Sequence, residues 1–518
     1  MAQQYPLSDK ENQCRNSSKL TTVMKEVSFF RLNGRMTNET FEKGRLVKNK
    51  IQYASTASNY WSSTEYNDNN AWNVNFSSGN INNNNKYNTR AVRPVAALDK
   101  ERKEAWIEAF DDCCRHKKTS ESCIIYRLMY EEDLWRLATE VENGNYYPSK
   151  SICFCVTRPK LREVFAANFR DRIVHHWLMM KLNPLFEERF IEQGNVSFNC
   201  RKGYGVQSAV RYVKDAIFRV SKQYKSDAYI GRFDIIGFFM SISKPILIAN
   251  LREFVYGHYL KPDVDLVFNT LCLVINHNPS TDCEVHGDAR LFDQLPKNKS
   301  LFHVPVDRGL PIGNLTSQIL ANFYLSFFDE VMVEWVKRRG GEYARFVDDF
   351  IVVMPDMKQV YQAYLFADRY LKDELGVKLH DDKKYMQHYT KGVAFVGYTV
   401  KVDRIYLSNR TYGHFRDRMR SVDTICQHII NDGHNMTAMA ALNRSMMSIN
   451  SFVGFTCHIN GYAMRIKTLL AYNKLYKFAF LKTSMHVVKL RKRYTIGELR
   501  YEKDRMERAR MSSGIRKI

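Results

Sequence analysis

Asp348 and Asp349 fall inside RFVDDFIVV, a run that is otherwise rich in Phe and Val. Adjacent carboxylates repel each other and are costly to strip of water. A fold that holds this run in a strand must bring positive charge to it, and a divalent cation is the usual means. Two other Asp–Asp pairs, Asp111–Asp112 and Asp381–Asp382, sit among polar residues and read as solvated surface. A second apolar run, YIGRFDIIGFF, carries the lone Asp234. Three carboxylates on two neighbouring strands can hold two Mg2+ ions roughly 3.5–4 Å apart, the arrangement of two-metal nucleotidyl transfer. One ion lowers the pKa of a 3′-hydroxyl, and the other stabilises departing pyrophosphate.

The composition agrees with a polyanionic partner. The net charge is +23, and each phosphate met by Lys or Arg releases counterions. Hydrophobic residues make up 45%, enough for a large core rather than a disordered chain. No apolar run approaches the roughly 20 residues of a bilayer span, and the N-terminus lacks the apolar stretch of a signal peptide. The eleven cysteines include no CxxC pair, and Cys272, Cys283 and His286 are too loosely spaced to read as a zinc site. Reduced thiols in a cytoplasmic protein are the expectation.

Along the chain, LDKERKEAWIEAF and YRLMYEEDLWRLATEVENG read as helices, the second capped at Gly144. SICFCVTRPKLREVFAANFRDR reads as a short basic β segment, and IVHHWLMMKLNPLFEERF as an amphipathic helix. DAYIGRFDIIGFF, EYARFVDDFIVVM and KGVAFVGYTVKV read as strands. TSQILANFYLSFFDEVMVEWVKRR and MKQVYQAYLFADRYLKDELG read as helices, as does most of 405–480.

The runs FDIIGFF, LPIGNLTSQ, FVDD and FVGY occur in the order of a reverse transcriptase palm. LPKNKSLFHVPVDRGLPIGNLTSQ resembles one branch, the reverse transcriptases of diversity-generating retroelements. The resemblance covers about residues 98–480. It implies an α+β right-hand polymerase fold with fingers, a palm with an antiparallel sheet and a helical thumb, after a largely irregular N-terminal segment. The implied division is N-terminal helices and fingers at 98–225, palm with fingers elements at 226–400, helical thumb at 401–485 and a basic tail at 486–518. Asp234, Asp348 and Asp349 match the family's catalytic, metal-binding carboxylates, and Phe346 takes the place of the usual tyrosine of Y-x-D-D. Phe239 falls where the family places a bulky gate against the ribose 2′-hydroxyl, with strand alternation turning Phe238 to the opposite face. Lys160 and Arg162 are implied to meet the incoming nucleotide, whose triphosphate needs neutralising charge. Arg170, Arg172, Arg201 and Lys202 are candidates for the RNA backbone.

Gly313 would let the template–nucleotide pair lie against the backbone. Ile312 and Gln318 mark the branch, since most reverse transcriptases have Gln before this glycine and Pro after the serine. Loss of that polar contact makes Ile312 a candidate for error-prone copying. Lys383 matches a lysine that assists pyrophosphate departure, with Lys384 adjacent. Phe395, Gly397 and Tyr398 match the primer-grip turn.

Further implications are a template-repeat RNA copied into cDNA from dNTPs, misincorporation opposite adenine, diversification of a variable target gene, and a small basic accessory protein as partner. A retron or group II intron enzyme is the alternative within the class, and a non-catalytic RNA-binding protein the alternative outside it. Residues 51–97, within the polar extension 1–97, are rich in asparagine. WSSTE, AWNVNFSSG and RAVRPV there resemble the end of the C-type-lectin-like proteins that such elements diversify. Asparagine codons begin with two adenines, so the stretch reads as a translated template repeat that acts as RNA and whose peptide is poorly ordered, with an ordinary polar linker as the alternative. It is too short to build an independent core.

Overall fold

The computed structural model describes residues 59–65, 70–75, 81–85, 100–115, 117–118, 120–157, 160–432, 436–482 and 487–491. Strands β1 (Asn59–Glu65), β2 (Asn70–Asn75) and β3 (Ile81–Asn85) form an antiparallel meander, with Asn59 opposite Asn75 and Asn70 opposite Asn85. These strands were not expected from the residues. Asparagine is depleted in strands, so INNNN announces nothing of the kind. The rest of the extension 1–97 and tail residues 492–518 lie outside the described residues.

Helices α1 (Lys100–Cys114), α2 (Glu121–Leu128) and α3 (Tyr130–Glu142) precede a hairpin of β4 (Ser151–Val156) and β5 (Arg162–Ala166). The single helix expected over YRLMYEEDLWRLATEVENG breaks at Met129, and its end holds to expectation. Gly144 adopts φ 71° and donates its N–H to Val141 O at 3.1 Å. Then come α4 (Phe169–Glu192), α5 (Val206–Val220), β6 (Tyr229–Asp234), the single turn α6 (Phe238–Ser241), α7 (Lys244–His258) and α8 (Val264–Asn276). Next are β7 (Cys283–His286), α9 (Arg290–Asp293), α10 (Leu315–Tyr324), α11 (Ser326–Lys337), β8 (Glu342–Phe346), β9 (Asp349–Met354), α12 (Met357–Asp373) and β10 (Tyr385–His388). β11 (Val393–Phe395), β12 (Tyr398–Val400) and β13 (Ile405–Leu407) lead into α13 (Asn409–Asp432), α14 (Met436–Thr456), α15 (Tyr462–Leu470) and α16 (Leu475–Phe478). β14 (Ala479–Leu481) and β15 (Val488–Leu490) pair antiparallel, so the first residues of the expected tail belong to a strand.

The chain divides into two units, Met1–Leu185 with Lys244–Gln318, and Phe186–Ser243 with Ile319–Ile518. The range read as palm, 226–400, thus gives its 244–318 segment to the first unit. There Trp106 stacks on Trp177 with centroids 4.9 Å apart. Strand order β5-β4-β7 adds a parallel partner that the sequence did not announce, with Ser151 opposite Cys283. His286 there binds Glu284 at 2.7 Å, and among the described residues no three His, Cys or acidic groups gather to hold a metal ion.

The second unit is built on a four-stranded antiparallel sheet, order β10-β6-β9-β8. Residues Phe350 to Met354 of β9 are all buried, which explains an unbroken apolar run where an open sheet would alternate. On one face, Ile230, Ala344, Ile351 and Val353 share a core with Ala209, Val213, Ala216 and Ile217 of α5. On the other, Phe233 and Phe350 pack with Phe328 of α11 and Tyr364 of α12. A Cβ on Gly231 would stand 2.7 Å from Val360 Cγ1, so the glycine permits the close approach of α12. No helix among the described residues is long and apolar enough to cross a membrane.

Candidate active site

Alternation along β6 and β9 decides where the acids point. Ile230, Arg232 and Asp234 share one face of β6, and Asp349, Ile351 and Val353 the same face of β9. Register sets Asp234 directly opposite Asp349, with Cα atoms about 4.5–5.5 Å apart for such pairs. At one end this face is core beneath α5, and at the other it ends in carboxylates whose side chains are only 25% and 26% exposed.

The expected single strand across EYARFVDDFIVVM is a hairpin. β8 ends at Phe346, β9 begins at Asp349, and Val347 and Asp348 form the connection. Asp348 therefore sits on a turn beside Asp349, not within a strand. Val347 has φ 59°, while Asp348 has no positive φ. That is the φ pattern of a type II′ turn, whose first central position ordinarily takes glycine. A β-branched residue there stores about 1–3 kcal/mol of strain.

Two cations meet the acids. Lys383 Nζ donates to Asp234 Oδ2 at 2.5 Å, and Arg232 Nε lies 3.5 Å from Asp349 Oδ1. Lys384 turns away to Asp381 at 3.1 Å and over the Tyr364 ring, so of the two lysines it is Lys383 that reaches the site. Arg232 also donates to Ala394 O on β11, linking the acid to the neighbouring small sheet. Arg232 is absent from the candidates read from the sequence. Its signal was a cation two residues before Asp234 in an apolar strand, hence on the same face. Asp234, Asp348 and Asp349 are the residues that would hold a divalent metal. Facing carboxylates met by Lys and Arg suit positive charge, although among the described residues no three acidic, His or Cys groups are gathered closely enough to bind an ion as they stand.

Phe239 lies in the helical turn α6, not on a strand, so strand alternation does not apply to it. The turn still separates the pair. Phe238 is buried at 2% and Phe239 is half-buried, which leaves Phe239 as the one able to meet a ligand. The residues read as a primer grip divide differently. Phe395 and Tyr398 are opposite each other in the β11–β12 hairpin and both are buried, Tyr398 stacking on Phe455 at 4.2 Å and donating to Phe455 O at 2.7 Å. They hold the hairpin, and only its turn, Val396 and Gly397 with φ 41° and 89°, is left to touch a primer.

Arg201 is corrected outright. Its side chain is 0% exposed and binds Glu187 at 2.5 and 2.9 Å, Ser197 O at 2.8 Å and Asn195 Oδ1 at 2.7 Å, so it organises the turn before α5 and cannot reach RNA. Lys202 beside it is exposed.

In the first unit, Lys160 lies in the β4–β5 loop and Arg162 opens β5, both exposed and neither in an ion pair among the described residues. Ile312 O accepts from Phe165 N at 2.7 Å, placing LPIG along β5. A Cβ on Gly313 would stand 2.6 Å from Phe165 O, and φ is 128°, so glycine is demanded by this contact within the unit. Gln318 is exposed near the end of the unit. Arg170 is ion-paired with Glu140 and lies near the Tyr146 ring, and Arg172 Nε donates to Ala167 O at 2.7 Å. Arg170 thus anchors α4 rather than standing ready for a backbone phosphate, a second correction, while Arg172 is half-buried and tied to the chain through Nε.

Residues 158–400 match the family model described as reverse transcriptase (RNA-dependent DNA polymerase). Protein YkfC of Escherichia coli (strain K12) is 22% identical over 333 residues, covering 57% of this chain and 76% of that protein. Telomerase of Candida albicans, solved with a fragment of telomeric RNA, overlaps 68% of this chain and 62% of its own at 13% identity and TM-score 0.35. Apo telomerase of Candida tropicalis overlaps 67% of this chain and 65% of its own at 10% identity and TM-score 0.36. The chain thus spans less than two thirds of these telomerases, and overlaps this loose bear no weight for function. The matched span contains Asp234, Phe239, Asp348, Asp349 and the β11–β12 hairpin in order, and over these residues the chain is similar to the reverse transcriptase (RNA-dependent DNA polymerase) family.

Proposed function

We propose that the protein is the RNA-directed DNA polymerase of a diversity-generating retroelement, copying a template-repeat RNA into cDNA that is mutagenised at adenines. The observation that carries the polymerase reading is the register of Asp234 against Asp349, with Asp348 on the adjoining turn, inside a reverse transcriptase domain. The retroelement reading rests on Ile312 and Ser317–Gln318 in LPIGNLTSQ, and on the asparagine-rich stretch 51–97.

In this reading Asp234, Asp348 and Asp349 bind two Mg2+ ions, which supply activation of the 3′-hydroxyl and neutralisation of the departing pyrophosphate. Lys383, which contacts Asp234, exchanges that contact in this reading for charge developing on the leaving group. Lys160 and Arg162 meet the dNTP triphosphate, Phe239 crowds the ribose 2′ position, and Ile312 leaves the nascent pair without a polar check. Template RNA, cDNA and a small basic accessory protein are the partners, in a cytoplasmic setting.

Primer extension by the full chain on an RNA template with Mg2+ tests both layers. Wild type should extend the primer and Asp348→Ala should fall to background. Product sequencing should show errors concentrated opposite template adenines, reduced in Ile312→Gln while extension persists. Extension with uniformly distributed errors would leave the polymerase standing and remove the retroelement reading, in favour of a retron or group II intron type.

A further inference from the structure

We propose that Asn199, Arg345 and Asp329 form a clamp that holds Val347 in its strained conformation, so that the turn presents Asp348 and Asp349 together. The clamp rests on the polymerase reading above, and its three members are positioning residues.

Both peptide groups of Val347 are held. Its N–H donates to Asn199 Oδ1 at 2.9 Å, and its carbonyl accepts from Arg345 Nη1 at 2.9 Å. The backbone delivers Asn199 to that place. Segment 196–199 runs parallel to β8, with Ser197 bridged to Arg345, Arg345 N donating to Val196 O at 2.8 Å and Phe198 N donating to Arg345 O at 3.1 Å. Two residues further along both chains, Asn199 meets Val347. Asn199 is itself buried, and its carbonyl accepts from Asn322 Nδ2 of α10 at 3.3 Å.

Arg345 is anchored behind the turn. It is fully buried, with Nε donating to Asp329 Oδ1 at 2.7 Å and Nη2 to Asp329 Oδ2, a two-pronged pair that fixes the guanidinium plane. Tyr343 Oη adds a third donor to Asp329 at 2.7 Å. Burial works against the charge on Arg345, but the Asp329 carboxylate outweighs it and holds the guanidinium above its ordinary value, so the cation persists at any working pH. A buried, oriented guanidinium can thus direct Nη1 at one carbonyl of the catalytic turn.

Strain gives the clamp its purpose. A valine at φ 59° stays there only where its surroundings over-determine it. Release of either hydrogen bond lets the peptide rotate, and the next residue to turn with it is Asp348. A merely structural contact would not couple to the side chain at 347. The clamp does, because glycine reaches the same φ without strain.

The test compares full-length wild type, Asn199→Ala, Val347→Gly and the double variant in steady-state primer extension, at a temperature where circular dichroism shows all four folded. Asn199→Ala should lower kcat about tenfold or more with the dNTP KM nearly unchanged, the mark of lost positioning rather than lost binding. Val347→Gly in the Asn199→Ala background should restore most of that kcat. A kcat for Asn199→Ala within about twofold of wild type overturns the clamp, as does a loss that Val347→Gly leaves untouched. An inactive wild type overturns the polymerase reading, and the clamp's purpose with it. Should Asn199→Ala not fold, Arg345→Lys supplies the same comparison, since a lysine cannot reach both Asp329 and Val347 O as a fork.

Discussion

At the scale of single residues, neighbours in sequence part company in space. Lys383 and Lys384 are equivalent by type and position, yet one binds Asp234 and the other Asp381. Lys383→Ala is expected to slow single-turnover extension about tenfold to a hundredfold, the range for removing one charge-stabilising donor, and Lys384→Ala to leave it within about twofold. Equal losses would mean that the two lysines are interchangeable near pyrophosphate. Residue type was legible for the acids because two adjacent carboxylates in an apolar run demand a positive partner. It misled for Arg201, since arginine serves a buried carboxylate as readily as a phosphate, and only the presence of Glu187 decides between them. Phe395 and Tyr398 misled in the same way, as aromatic side chains that fill a core where a ligand contact was expected.

At the scale of elements, α4 carries a pH dependence. His175 is buried, its Nδ1 has no hydrogen-bond partner among the described residues, and burial pushes its pKa down to about 3, with His176, His277, Arg172 and Lys117 adding in the same direction. The folded chain therefore keeps His175 neutral while the unfolded chain takes up a proton below its ordinary value of 6.5. Between these values the unfolded state binds more protons, so stability rises with pH and is lost on acidification, by up to about 1.4 kcal/mol per pH unit. The wild-type unfolding midpoint should fall between pH 7 and pH 5, and His175→Met should lose distinctly less. An identical fall in both would show that His175 titrates freely.

Element type was largely readable, because period and cap chemistry are local. IVHHWLMMKLNPLFEERF is helix, and SICFCV and REVFA are strands, as their patterns indicate. Breaks inside apolar runs were not readable. RFVDDFIVV hides a two-residue turn because Val347 is the wrong residue for it, and FDIIGFF hides the end of β6, because both are imposed by tertiary contacts against local preference.

At the scale of the whole molecule, the excess of 78 Lys and Arg over 55 Asp and Glu predicts a steep salt response. Affinity for single-stranded RNA should weaken about three-hundredfold between 50 and 200 mM salt if some six phosphates are met. A flat response in a filter-binding titration would show that the charge is not used for nucleic acid.

The sequence by itself determined the chemistry. Its acids, their order and the positive charge around them follow from residue identity, which no folding changes. The tertiary structure decided the geometry: which strand faces which, which of two lysines reaches an acid, which arginine is buried, and that a valine is bent into a glycine's place. The turn and the lysine contact depend on partners more than a hundred residues away, Asn199 for Val347 and Lys383 for Asp234, and no local pattern encodes a partner at that distance. Arg201 depends on Glu187, close in sequence but on the preceding helix.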